Sequence, residues 1–293
     1  MIKEKWLDLV IQNPMLIEIT RFRRRYTSAS ATSSMNGVVV LLCIICYATL
    51  LLVVIQNRTS ISPIVMIFAQ TAFLTVLAPM LLYGSISGER ERRSWDLLLV
   101  APITKPQIVV GKFMGAMAAL GVAVILFQVP IEIAATSYDR SHWQSVLVAD
   151  LVSVTFLMCV CALTILFSAR VKRSLMALGA TLGSLVTILI VFPALVGLGQ
   201  SGPATDAAFF LHPFVVLSRI GDRDDAISRN GAGTVGPGTS QPDFPSNVPA
   251  PWWGWPQTLT YLGLTIVLLA WASNTLNFAE NEVKFLPQGH KDA

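Results

Sequence analysis

Six apolar segments, each long enough to cross a membrane as a helix, dominate this 293-residue sequence. They lie at residues 35–55, 61–87, 108–135, 146–169, 175–200 and 258–279. A helix needs roughly 20 apolar residues to cross about 30 Å of hydrocarbon. Lipid offers no hydrogen-bond partners to backbone N–H and C=O groups, so segments of this length are expected to be helical. The sequence therefore predicts an all-α polytopic membrane protein with six transmembrane helices.

The positive charges are shared unevenly between the connecting segments, and this asymmetry predicts the orientation. The N-terminal segment, the loop at 88–107 with Lys112, the loop at 170–174 and the tail from 280 hold 16 of the 21 Lys and Arg residues. Cytoplasmic loops of membrane proteins carry such an excess. We therefore expect both termini to be cytoplasmic, in a multi-pass protein of the plasma (inner) membrane. The net charge of +4 reflects this bias, and no nucleic-acid partner is expected.

The chain divides into three parts around the predicted spans. Residues 1–34 are expected to be a cytoplasmic amphipathic elbow segment, 35–279 the six-helix transmembrane domain, and 280–293 a cytoplasmic tail. The outer loop 201–257 belongs to the transmembrane domain. Its first part, 204–220, is apolar but too short to span, which favours re-entrant or interfacial helices.

The N-terminal segment has the pattern of a helix that lies along the membrane surface. Asn13 and Pro14 are a helix-start signal, with Asn as the N-cap and Pro at the first helical position. The apolar residues that follow repeat at the spacing of one helical face, while Arg21 and Arg25 lie off that face. Such a helix places its arginines near anionic lipid headgroups, so membrane lipid is an expected partner.

The loop at 88–107 is the most specific feature of the sequence. A run of charges is followed by a short apolar helical turn and then by Pro102. Trp95, Leu98 and Leu99 fall on one side of that turn. An exposed apolar helix of this kind is typical of a protein contact. The alternative is a connecting loop whose apolar residues enter the membrane interface.

The sequence ISGERERRSWDLLLVAPITKPQIVVGK, at residues 86–112, is similar to the cytoplasmic signature of ABC-2-type transporter permeases. The Asn-Pro-x-Leu entry at 13–16, followed by arginines, resembles the N-terminal elbow helix of the same family. The predicted topology, with a long outer segment between the fifth and sixth spans, matches as well. Two departures leave the subfamily open: Arg93-Ser94 stands where Gly-Thr is frequent, and Glu18 lies one position early.

The resemblance implies a permease, acting as an exporter, whose ATP and Mg²⁺ are bound by a separate ATPase subunit. It implies no catalytic residue, cofactor or metal in this chain, and a homodimer or a heterodimer with a related permease. The short helix between spans two and three would be the coupling helix that contacts the ATPase. The residues that the resemblance assigns to this coupling surface are Glu89, Arg90, Glu91, Arg92, Arg93, Trp95, Leu98 and Leu99. Those that it assigns to the elbow are Asn13, Pro14, Arg21 and Arg25.

Two carboxylates lie inside the apolar segments, and intramembrane carboxylates are candidates for function. Glu132 and Asp150 are therefore candidates for a translocation path, although both lie near the outer ends of their spans, where a simple interfacial position also accounts for them. An ion- or proton-coupled secondary carrier is the alternative function. It would need several buried charges at mid-membrane, whereas only these two carboxylates, both peripheral, are available. The Gly111-Lys112 pair is followed by Phe113 rather than Ser or Thr, so it does not form a phosphate-binding loop.

Overall fold

The structure is a computed structural model that describes residues 45, 47–57, 61–91, 104–138, 143–197, 209, 212–221 and 254–284. The regular structure in these ranges is helical, without a strand. In chain order the helices are α1 Tyr47–Gln56, α2 Pro63–Leu82, α3 Ser87–Glu91, α4 Lys105–Tyr138, α5 Trp143–Arg170, α6 Ser174–Val186, α7 Phe192–Gly197, α8 at 213–221 and α9 Trp255–Lys284. A π-helical turn, Thr187–Val191, joins α6 to α7 without a break.

Five helical runs among the described residues are long and apolar enough to cross a membrane. They are Pro63–Glu91, Lys105–Thr136, Trp143–Arg170, Ser174–Leu195 and Trp255–Leu276. Each lies over one of the predicted spans from the second to the sixth. An all-helical membrane protein is therefore confirmed over these ranges.

The other predicted elements fall wholly or largely outside the described residues. Of the predicted first span, 35–55, the structure describes residue 45 and the residues of α1, an apolar helix of 10 residues. The elbow segment with Asn13, Pro14, Arg21 and Arg25 lies outside the described residues, as does the predicted coupling helix from residue 92 to 103. These remain predictions.

Successive spans run in opposite directions, which gives the bundle two distinct ends. The starts of α2, α5 and α9 lie together at one end, which we call the Gly254 end. The start of α4, the end of α5 and the start of α6 lie together at the other, which we call the Glu89 end. Cross-helix contacts fix this arrangement: Phe73 packs on Phe127 at 5.7 Å, and Phe156 packs on Tyr261 at 5.4 Å, between ring centroids.

Helix α5 is the centre of the bundle and packs against α9, α2, α6 and α4. In its most apolar 18-residue stretch 67% of the residues are buried, against 17% in the run that contains α6. Buried hydroxyls on these helices, such as Thr71 and Thr164, donate to the carbonyl four residues earlier. A hydroxyl thereby enters an apolar core without an unsatisfied hydrogen bond.

Large apolar side chains cover the outside of the bundle. Leu175 is 74% exposed, and Ile125 and Ile266 are each 67% exposed. In water this surface would be an extensive hydrophobic patch, whereas hydrocarbon solvates it without cost. The distribution of apolar residues is therefore that of a protein whose solvent is lipid.

Helix α8 lies in the segment where the sequence predicts a re-entrant or interfacial helix. His212, just before it, shares a 2.9 Å hydrogen bond through Nε2 with the carbonyl of Leu189, in the π-helical turn. Phe214 packs on Phe68 of α2 at 4.8 Å between ring centroids, and Leu217 is fully buried. The helix is thus part of the packed bundle near the Gly254 end.

Gly254 allows α9 to approach α5 closely, and we expect Gly254→Ala to destabilise the bundle. A Cβ at this position would overlap Cγ1 of Val148 and lie 3.1 Å from Cγ2 of Val152. Because β-branched side chains have little rotamer freedom, the two helices would have to separate. Overpacking of this kind costs about 1–3 kcal/mol. The measurement is thermal unfolding of the purified protein in detergent.

Gly263 provides the matched control on α9, the helix that Gly254 immediately precedes. A Cβ there meets nothing within 4 Å, and Ala is the better helix former. Gly263→Ala should therefore leave the melting temperature unchanged or raise it. An equal loss of stability in both variants would contradict the proposed close contact at Gly254.

Candidate functional site

The break between α2 and α3 is held by a serine from the middle helix of the bundle. The fully buried hydroxyl of Ser168, on α5, accepts hydrogen bonds from the backbone N–H groups of Ile86 (3.0 Å) and Ser87 (3.1 Å). It donates to the carbonyl of Tyr83 at 2.8 Å. The first N–H groups of a helix have no partner inside the helix. Ser168 therefore caps α3 from a different helix and fixes where the chain leaves the bundle.

The first carboxylate after this break binds α4. Glu89 forms an ion pair with Lys112, at 2.6 Å between Oε1 and Nζ. Lys112 also donates to the carbonyl of Ser85. The side chain of Lys112 is 13% exposed and that of Glu89 is 32% exposed. Because an ammonium group withdrawn from solvent needs a partner, this pair joins the loop to the start of the third predicted span.

The next two residues bind the turn between α5 and α6. Arg90 donates through Nη1 to the carbonyl of Ala169 at 2.7 Å, near the end of α5. Glu91 accepts from the backbone N–H of Ser174 at 2.8 Å and from its hydroxyl at 2.6 Å, at the first residue of α6. A cation at a helix C-terminus and an anion at an N-terminus are both favoured by the helix dipole. Each charge therefore has the sign that stabilises the helix end it contacts.

Three consecutive residues thus attach the start of the loop to three different helices. We call Glu89, Arg90, Glu91, Lys112, Ser168 and Ser174 the loop-base cluster. The sequence identified the three loop residues as part of a surface that contacts a partner, and the structure places the described contacts of all three on the bundle itself. Whether they also contact a partner remains a prediction. The remaining coupling-surface residues lie outside the described residues: Arg92, Arg93, Trp95, Leu98 and Leu99.

The helix side of this cluster was not identified from the sequence. Lys112 was interpreted only as one of the charges that set the orientation, although a lysine within an apolar helix predicts a nearby acidic partner. Nothing in the sequence indicated contacts for Ser168 and Ser174, because serine side chains on transmembrane helices usually form hydrogen bonds with the backbone of their own helix. Only the tertiary arrangement shows that they bond across helices.

A second polar group lies in the bundle toward the Gly254 end. Gln128 of α4 donates through Nε2 to the Oδ2 atom of Asp150 on α5. Nearby, the hydroxyls of Thr71 and Ser153 share a 2.6 Å hydrogen bond between α2 and α5. Of the two predicted path residues, Asp150 is half-buried, whereas Glu132 is exposed on the side of α4. The structure therefore places Asp150 in a polar contact between helices and Glu132 on the outside of the described bundle.

We expect Glu91→Ala to destabilise the start of α6. Arg173, the residue before α6, makes no capping hydrogen bond with its own side chain. Glu91 supplies that cap from α3, and loss of a cap costs about 1 kcal/mol. Hydrogen exchange of the amides from Ser174 onward should therefore be about fivefold faster in the variant.

Glu91→Gln is the matched control, because it keeps an acceptor oxygen and removes only the charge. It should retain most of the protection and show an intermediate rate. Unchanged exchange at Ser174 in Glu91→Ala would show that the cap does not stabilise α6.

The described contacts of the loop-base cluster are hydrogen bonds and an ion pair. No group of three or more His, Cys, Asp or Glu side chains able to hold a metal ion occurs in the ranges that the structure describes. The loop-base cluster instead joins oppositely charged groups and helix ends through hydrogen bonds of 2.6–3.2 Å.

A family model described as ABC-2 family transporter protein matches residues 26–281. The match includes all five described spans and the whole loop-base cluster. No curated protein matches the chain.

Proposed function

Because this chain belongs to the ABC-2 family of transporter proteins, we propose that it is the permease subunit of an ABC transporter that exports its substrate. Separate nucleotide-binding subunits bind ATP and Mg²⁺ and hydrolyse the ATP. The permease itself supplies the path and does not hydrolyse ATP. Two copies, or one copy with a related permease, enclose the path within membrane lipid.

The observation that carries this proposal is the attachment of the loop to three helices. An ATPase that moves the segment following Glu91 displaces a chain whose base is bonded to α4, α5 and α6. Charge-assisted hydrogen bonds are shorter and stronger than neutral ones, so the base resists separation from the helices. The displacement therefore passes to the helix ends and changes their relative positions as rigid bodies.

The proposed orientation places the Glu89 end in the cytoplasm, where ATP is available. Lys112, Arg170, Lys172 and Arg173 all lie at this end of the described bundle. A surplus of Lys and Arg marks the cytoplasmic side. The termini are cytoplasmic in the same arrangement, and the membrane is the plasma (inner) membrane.

The test is co-purification of the tagged full-length chain from its native host in mild detergent, followed by an ATPase assay. A separate ATPase subunit is expected with the wild type. The double variant Trp95→Ala/Leu98→Ala removes the apolar anchor of the predicted coupling helix and should lose that subunit. Truncation of central aromatic anchors typically weakens an interface by about 2 kcal/mol or more, which is roughly thirtyfold.

Trp143→Ala is the matched control, because Trp143 is an exposed tryptophan at the opposite end of the bundle. It should retain the ATPase subunit at the wild-type level. Absence of any ATPase with the wild type in several detergents would overturn the proposal and favour the ion- or proton-coupled carrier. Retention of the subunit by the double variant would show that the coupling helix is not the contact.

A further inference from the structure

An acidic side chain lies between helices toward the Gly254 end. Asp150 is seven residues beyond the start of α5 and is half-buried. It takes part in no ion pair among the described residues. Glu132, one helical turn beyond Gln128 on α4, adds further negative potential at Asp150. A carboxylate withdrawn from water takes up a proton unless its charge is compensated.

A buried amide from a third helix faces the same group. Gln70 of α2 is fully buried, and its side chain lies beside Asp150. Neither its amide oxygen nor its amide nitrogen makes a hydrogen bond of standard geometry with the described residues. The same holds for the Oδ1 atom of Asp150 and the Oε1 atom of Gln128. Buried polar groups almost always have hydrogen-bond partners, so these atoms have the capacity to bind a polar ligand or an ion.

We propose that Asp150, Gln70 and Gln128 form a binding site for one monovalent metal cation, Na⁺ or K⁺. The three side chains offer a carboxylate oxygen and two amide oxygens from α5, α2 and α4. Oxygen donors of this kind are the ligands of hard cations, and carbonyl-type oxygens replace the hydration shell of an alkali ion. The single carboxylate between these helices matches a single positive charge. The Glu132 carboxylate attracts the cation electrostatically, but its side chain is exposed and does not provide a further ligand.

The bound cation joins three helices at the end opposite the loop-base cluster. Its binding stabilises the folded bundle by mass action, since the unfolded chain has no such site. The inference rests on the three side chains and not on the ATPase partner. A failed co-purification would therefore not count against the cation site. Absence of a cation effect would likewise not count against the proposed permease function.

The test is thermal unfolding of the purified full-length protein in detergent, in graded NaCl, KCl or choline chloride at matched ionic strength. We expect the melting temperature to rise saturably by about 4 °C in NaCl or KCl over choline chloride. Asp150→Asn removes the charge at almost constant shape and should abolish this rise. Glu132→Gln removes the exposed carboxylate one turn from Gln128 and should keep the rise.

Gln70→Leu provides a second variant that leaves the carboxylate in place. It should raise the cation concentration at half-maximal stabilisation by about tenfold or more, because one ligand oxygen is lost. Equal melting temperatures of the wild type in all three salts would overturn the proposal. A cation effect that persists unchanged in Asp150→Asn would overturn it as well, because the ion would then bind elsewhere.

Discussion

Glu89→Lys should reduce ATP-driven transport by at least about tenfold in complexes that retain the ATPase subunit. The substitution removes the 2.6 Å ion pair and places a second positive charge beside Lys112, which is only 13% exposed. Removing one partner of a mostly buried pair costs about 3 kcal/mol, and each 1.4 kcal/mol corresponds to about a factor of ten. The loop base would separate from α4, so movement of the loop would no longer reach that helix. The measurement is transport, or substrate-stimulated ATPase activity, in proteoliposomes.

The charge-swapped double variant Glu89→Lys/Lys112→Glu is the control for this prediction. It restores an ion pair at the same place, although the backbone carbonyl of Ser85 then loses its lysine donor. Partial recovery of transport is therefore expected, with a coupling energy visible in the double-mutant cycle. If the single and double variants are equally impaired, the ion pair does not link the loop to α4. Unimpaired transport in Glu89→Lys would lead to the same conclusion.

Ser168→Val should destabilise the protein by about 3 kcal/mol and open the turn between α2 and α3. The backbone N–H groups of Ile86 and Ser87 would lose their acceptor in a buried position. Each unsatisfied buried group costs about 1–3 kcal/mol. The carbonyl of Tyr83 keeps a second donor, the hydroxyl of Ser87 at 2.8 Å, and so adds little to the loss. Thermal unfolding gives the total effect, and hydrogen exchange at these two amides locates it.

Ser168→Thr is matched to Ser168→Val in size and differs in the hydroxyl group. Any cost of the added methyl group in this packed position appears in both variants. The difference between them therefore reports the hydrogen bonds alone, and Ser168→Thr should keep the two amides protected. Equal melting temperatures for the pair would mean that water or another group replaces the hydroxyl.

The loop-base cluster could be predicted only in part from the sequence. The charged run at 89–91 was recognisable because charges interrupt an apolar sequence and resemble a family signature. Its contacts with Lys112, Ala169 and Ser174 were not recognisable, because they join residues 23 to 83 positions apart. Local periodicity carries no information about which helix ends meet. The same limit applies to Gln70 and Asp150, whose separate sequence neighbourhoods do not indicate that they lie side by side.

The sequence by itself determined the class of the molecule and the approximate extent of five described spans. Hydrocarbon forces each apolar run to satisfy its backbone internally, so length and hydropathy are sufficient to predict a helix. The resemblance to the ABC-2 family rested mainly on the residues at 86–112, and the family model that matches residues 26–281 confirmed it. Only the tertiary structure decided that α5 is the central helix, and that the charges of 89–91 bind helix ends. It alone showed that Gln70 and Gln128 lie beside Asp150. These features depend on packing between distant segments, where the geometry of neighbouring helices rather than the local sequence selects each partner.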